Sequence, residues 1–247
     1  MKTSWLALTG AVALCAAGAS AVAGTITLTG AAGPRAGSVT LTDSGPNLTI
    51  TLSNTGQDVL VPDQVMTAYF FSLAGNPLLT PVSATLAPGS TIIFGPAGAG
   101  PDVRGEWAYR QGIVGPFGAD RGISSAGFGL FGPGDLFPGG SNLAGPASPD
   151  GLQFGLVSGA DDPSTGNAAV TGGEALIRNA VTFVLTGLPA GFDIAAPGAI
   201  SLGSFQYGTD LSEPNVPDPP PFGVPEPGSL LLLGAGLAAA LRGTRRR

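Results

Sequence analysis

Histidine is absent from the chain, lysine occurs once, at Lys2, and cysteine once, at Cys15. The remaining residues therefore hold none of the three, which excludes Ser-His and Cys-His nucleophilic sites, lysine Schiff bases and every His- or Cys-ligated zinc site. Lysine-asparagine isopeptide cross-links are excluded too, and a single thiol forms no internal disulfide. There is no Walker A loop, and the scattered glycines have no dinucleotide-binding context.

Charge is also scarce, at 11% of residues. Between Gly24 and Pro227 only Arg35, Arg104, Arg110, Arg121 and Arg178 oppose sixteen acidic residues, a net charge of −11. Such a body repels nucleic acid and anionic lipid, so neither is an expected partner. Gly (41) and Pro (23) make up about a quarter of the 247 residues, but 43% are hydrophobic. That composition points to an ordered, turn-rich β protein.

Lys2 supplies a short positive start, the stretch from Trp5 to about Gly18 is apolar, and Ala21-Val22-Ala23 is a small-x-small cleavage site. Residues 1–23 read as a signal peptide removed by signal peptidase, leaving Gly24 as the new first residue. The apolar run is shorter than the ~20 residues of a membrane-spanning helix. Cys15 follows Leu14, where a lipidation site carries a small residue, so a lipid anchor is not expected.

Pro fills seven of the fourteen positions from Pro214 to Pro227, which favours an extended polyproline-like spacer. Val224-Pro225-Glu226-Pro227 follows, then Gly228 to Leu241 without a charge, then Arg242 and Arg245-Arg246-Arg247. As a helix, residues 228–241 would reach only ~21 Å at ~1.5 Å per residue, against a hydrocarbon core of ~30 Å. The arginines act as a stop, because positive charge stays on the cytoplasmic side and Arg242 can snorkel.

Pro-Glu-Pro at 225–227, the short Leu/Gly/Ala segment and the terminal arginine cluster together resemble the PEP-CTERM sorting domain of Gram-negative bacteria. The resemblance implies processing by a membrane-embedded exosortase near the motif, passage through the inner membrane, and release to the surface or to an exopolysaccharide-rich biofilm matrix. The body also resembles exosortase-dependent surface proteins, through Gly122-Ile123-Ser124-Ser125, the Gly129–Gly140 run, Ala147 to Leu152 and Phe205-Gln206-Tyr207-Gly208. That second likeness implies no activity.

Period-two alternation marks strands at Ile26 and Leu28, at Val39 and Leu41, and at Leu48, Ile50 and Leu52. Further strands are expected over 65–71, 83–86, 91–94, 106–110, 153–157, 179–186 and 201–207. No long amphipathic helix interrupts them. The predicted organisation is a signal peptide (1–23), an antiparallel β-sandwich body (24–213) with a jelly roll as the alternative, a Pro-rich linker (214–223), and a sorting signal (224–247) with its transmembrane segment at 228–241. Gly112 to Gly159 holds fourteen glycines and reads as a long surface loop or as a segment that hides short strands.

Three sets of residues are candidates for contact chemistry. Trp107 and Tyr109 are the candidate ligand aromatics, with Phe131 and Phe137 of a repeated Leu-Phe turn behind them. Glu106 is the best-placed acid for a two-carboxylate glycosidase, although neighbours along a strand face opposite ways. Asp161, Asp162 and Asn167 offer oxygens to a Ca2+ ion, but their spacing does not match an EF-hand and equally suits a solvated turn. No other cofactor is expected. Asn47-Leu48-Thr49 matches a glycosylation sequon and is read as the start of a strand.

The sequence thus predicts an exported, non-enzymatic surface or matrix protein with a structural or interaction role. A carbohydrate-binding module and a carboxylate glycosidase are the alternatives.

Overall fold

Threonine and serine alternate with leucine, valine and isoleucine along the first third of the body, and alternation of that period gives a strand one wet and one dry face. In the structure, a computed structural model describing residues 23–95, 100–131 and 151–218, these stretches form β1 (Thr25–Ala32), β2 (Arg35–Ser44) and β3 (Asn47–Asn54). Buried and half-buried residues alternate one by one along β2 and β3.

The remaining strands are β4 (Met66–Leu73), β5 (Thr80–Leu86), β6 (Thr91–Ile93), β7 (Ala108–Gln111), β8 (Arg121–Ser124), β9 (Leu156–Val157), β10 (Leu176–Arg178), β11 (Ala180–Thr186), β12 (Ile200–Tyr207) and β13 (Asn215–Pro217). Among the described residues strands account for 44% and helical turns for 3%, so the chain is predominantly β.

Two sheets result. One has five strands in the order β1-β2-β3-β11-β5; the other has eight, with the path β13-β12-β4-β9-β10-β6 and with β8 joining β4 to β7. All pairs in the first sheet are antiparallel. The second is mixed, because β10 runs parallel to β9, which departs from the purely antiparallel expectation. Neither sheet closes into a barrel.

The two sheets share one core. Leu41, Ile50 and Phe183 from the first meet Met66, Tyr69, Phe71 and Phe205 from the second. At about 25 cal/mol per Å2, burial of such side chains is the main term opposing chain entropy. The approach is close at Gly37, where a Cβ would lie 2.5 Å from the Phe205 ring. Tyr69 stacks between Phe71 and Phe205, with ring centroids at 5.4 and 5.2 Å.

β4 departs from alternation: every residue but Ser72 is buried. Its second face is covered by the Gly-rich segment, where Ala119 and Phe131 pack on Ala68, Phe70 and Ala108. The described parts of the segment, 112–131 and 151–159, therefore hold short strands, β8 and β9, and Ala119 and Phe131 roof the second sheet. Phe131 is fully buried, 6.0 Å from Phe70 between ring centroids, whereas Phe137 lies outside the described residues.

A second boundary also moves. β13 falls on residues assigned to the linker and pairs with β12 through Phe205 and Val216, so the packed body runs to Asp218 and not to 213. The segment 228–241 expected to span the membrane lies outside the described residues, and among those described no helix is long and apolar enough to cross a membrane.

Candidate functional site

The candidate aromatics are core residues. Trp107 is 0% exposed and Tyr109 4%; the Trp107 indole sits edge-on to Phe183 at 5.1 Å, between the sheets. Neither ring presents a face to a sugar. The Tyr109 hydroxyl donates to Gln111 Oε1 at 2.9 Å, and burial pushes its pKa up to about 12. Glu106 is half-buried, and that burial alone raises its carboxyl pKa.

The Asp161 loop is closed by its own backbone. Asp161 Oδ1 accepts from the Val59 amide at 2.9 Å, Asp162 Oδ1 accepts from the Ser164 amide and hydroxyl at 3.0 and 2.7 Å, and Asp58 accepts from the Asp162 amide and the Thr165 hydroxyl. Asn167 is exposed and contributes main-chain bonds, its amide to Leu60 and its carbonyl to Val170 and Thr171. Among the described residues no group of three or more Asp, Glu, His or Cys side chains is arranged to hold a metal. The loop ties the 158–171 segment to Val59 and Leu60, and the expected Ca2+ ligands are engaged as turn acceptors.

Arginine scarcity has a structural counterpart that composition alone did not interpret. Arg121 is 0% exposed and divides its guanidinium between Asp120 Oδ1 at 2.9 Å, the Pro77 carbonyl at 3.0 Å and Asn76 Oδ1. It braces the turn between β4 and β5 from inside. Its position beside Asp120 was the only available signal.

The outer face of the first sheet carries hydroxyls in register. Thr27, Thr40, Thr51, Thr182 and Thr85 lie opposite one another across all five strands. Thr27 and Thr40 are hydrogen-bonded at 2.9 Å, and Thr51 and Thr182 at 3.1 Å. A parallel row runs Thr25, Thr42 and Thr49. These rows bear no charge.

The remaining site is where the body hands over to the C-terminal segment. The Tyr69 hydroxyl donates to Asp218 Oδ2 at 2.6 Å, and burial raises the pKa of both groups. The carboxylate lies over Gly203, where a Cβ would be 2.2 Å from both Asp218 oxygens. Only glycine leaves room there. Beside this clamp is an apolar pocket of about 340 Å3, lined by Leu28, Phe117, Ile200, Leu202 and Pro217 as well as Asp218. Phe117 and Leu202 are 59% and 46% exposed at its rim. Four residues, Pro219 to Phe222, separate Asp218 from Gly223.

Residues 223–247 match the family model of the PEP-CTERM protein-sorting motif. The chain carries a PEP-CTERM sorting motif. This agrees with the resemblance read from Val224, Pro225, Glu226 and Pro227 and from Arg242, Arg245, Arg246 and Arg247, residues that lie outside the described ones. The PEP-CTERM motif directs a chain out of the cell, to the surface or the extracellular space, with exosortase as the processing partner. Neither the curated proteins nor the solved structures contain a match to the chain. Of the signal cleavage residues, Ala21 lies outside the described ones, Ala23 is exposed, and Gly24 begins the packed body.

Proposed function

We propose that the chain is cleaved by signal peptidase after Ala23, held briefly in the inner membrane by residues 228–241, and cut by exosortase near Pro225-Glu226-Pro227. The body then serves as a non-enzymatic structural or interaction module of the cell surface or biofilm matrix. The observation that carries this reading is the PEP-CTERM motif, separated by only four residues from the Tyr69–Asp218 clamp. At ~3.1 Å per residue in a polyproline conformation, residues 219–226 would span roughly 25 Å, so the β-sandwich would stand close to the membrane where exosortase acts. The consecutive pairing of β1, β2 and β3 in one sheet supports a sandwich over a jelly roll. Burial of the candidate aromatics and the absence of histidine, and of lysine and cysteine beyond position 15, support a non-catalytic role.

The test is the mass of the protein recovered from the host's surface and medium, with both terminal peptides sequenced. A start at Gly24 and an end near Pro227 supports the reading. Retention of Arg245–Arg247 with the protein in the inner membrane would make the tail a plain anchor and remove the matrix role.

A second reading, contact with exopolysaccharide, draws support from the threonine rows and not from Trp107 and Tyr109. An uncharged hydroxyl face suits a hydroxyl-bearing, neutral polymer. Retention of the exported protein on host polysaccharide, lost on changing Thr40 and Thr51 to Lys with folding intact, would support it. Equal retention of both would refute it.

A further inference from the structure

Asp43, near the end of β2, is 5% exposed, and none of the three ion pairs among the described residues includes it. Its carboxylate faces the first residue of the body. The Gly24 amide donates to Asp43 Oδ1 at 2.9 Å, and the Asp43 amide donates back to the Gly24 carbonyl at 3.1 Å. The second oxygen, Oδ2, accepts from the Ile194 amide at 2.6 Å. A Cβ on Gly24 would lie 2.5 Å from Asp193 Oδ1 and 2.8 Å from Asp43 Oδ2, so two carboxylates converge on this residue. A buried anion without a cation is costly unless hydrogen-bonded and charge-compensated. No arginine in the body is free to compensate it, since Arg35, Arg104, Arg110, Arg121 and Arg178 each donate elsewhere.

We propose that Asp43, assisted by Asp193, is the binding site for the primary ammonium created at Gly24 by signal cleavage, so that export processing supplies the fold with its missing cation. Hydrolysis adds water across the Ala23–Gly24 bond: the new carboxylate leaves with the signal peptide, and the Gly24 nitrogen takes up protons to become an ammonium. The hydrogen bond from a neutral amide to the carboxylate then becomes an ammonium–carboxylate ion pair, charged on both sides. The inference rests on cleavage after Ala23, and it adds charge pairing in the processed protein to the hydrogen bonds that already tie the β1 start to β2 and to Ile194. Gly24 is required for space as well as for its nitrogen.

The titratable groups facing the ammonium are Asp43 from β2 and Asp193 from the loop that follows Phe192. An α-amino group ordinarily titrates near ~7.7–8.0, and these anions hold the proton on more tightly in the folded state. The stabilisation is therefore complete below the ordinary value and is lost as pH rises through the elevated one.

The experiment uses the chain from Gly24 to Arg247 in detergent, released from a fusion by a protease that leaves Gly24 first. The same chain preceded by Ala21-Val22-Ala23, and a third N-acetylated on Gly24, serve as comparisons. The free Gly24 form is expected to unfold a few degrees higher than both at pH 6.5, with the advantage gone above pH 10. Acylation of its amine at pH 7 is expected to be slowed about tenfold for each pKa unit gained. D43N should remove the difference in both readouts, and the N-acetylated chain keeps the test valid if D43N does not fold. Equal midpoints for all three chains, or normal amine reactivity, would overturn the proposal. Because signal peptidase takes no part, failure here is distinct from failure of the cleavage reading, which N-terminal sequencing of exported protein decides.

Discussion

The Tyr69 hydroxyl reaches across the second sheet to Asp218, 149 positions later, and holds its carboxylate at 2.6 Å over the bare backbone of Gly203. This contact fixes the last packed residue before the sorting segment. Tyr69→Phe removes the donor but leaves the carboxylate buried, which costs about 1–3 kcal/mol. For a body of this size the thermal midpoint should fall by roughly 2–4 °C per kcal/mol, with strand content by circular dichroism unchanged. An unchanged midpoint would show that the clamp is not a stabilising contact.

The same carboxylate sets a pH dependence. Burial raises the Asp218 pKa in the folded state, so the folded protein binds more protons than the unfolded chain over the interval between the ordinary Asp value and the raised one. Stability must then increase as pH falls through that interval. Asp161 contributes in the same direction, also through burial. Asp58, Asp102, Asp162 and Asp210, whose pKa values are lowered by hydrogen bonds, act in the opposite direction. The check is therefore the difference in urea midpoint between wild type and Asp218→Asn, which should shift in favour of the wild type as pH falls from 7.

Arg121 is expected to be the least replaceable cation. Arg121→Met leaves Asp120, the Pro77 carbonyl and Asn76 Oδ1 without their donor, a loss of about 1–3 kcal/mol for acceptors left unsatisfied, Asp120 being partly exposed. Arg121→Lys should rescue little, because an ammonium lacks the planar fork that serves three acceptors at once. Urea unfolding of the three proteins measures the order, and full rescue by lysine would refute it.

Trp107→Ala should act as a core deletion. A cost of about 3–5 kcal/mol is expected for emptying a buried tryptophan site, read as a lower unfolding midpoint. Retention of still-folded protein on host polysaccharide should not change, which separates a packing role from a binding one.

Replacing Pro225-Glu226-Pro227 by alanines should leave the body folded but stop processing. Mass spectrometry of host membranes should then find chains that keep Arg245–Arg247, with a matching loss from surface and medium. Normal release of the triple variant would place the recognised residues elsewhere in 223–247.

The strands easiest to foresee were those with one wet face. β3 alternates at every position and β2 from Ala36 onward, and their threonines announce both the strand and its outer side. β8 and β10 escaped notice for the opposite reason: Arg121–Ser124 is buried at every position and Leu176–Arg178 at two of three, so neither has a period to read. Proline misled at β13, because Pro214 and Pro217 look like linker. Pro217 nevertheless caps a three-residue strand at the edge of the sheet, where a missing N–H is tolerated.

By itself the sequence determined the address and the excluded chemistry. A PEP-CTERM tail is local, its motif, apolar run and arginines being contiguous over 223–247, and a residue type that is absent is absent in every conformation. What only tertiary structure decided was the role of each remaining polar and aromatic side chain. Trp107 became core, the Asp161 loop became a backbone tie, and Asp43, Asp218 and Arg121 acquired partners 19 to 151 positions away. Burial and long-range pairing depend on how two sheets close on one another, which no local pattern encodes.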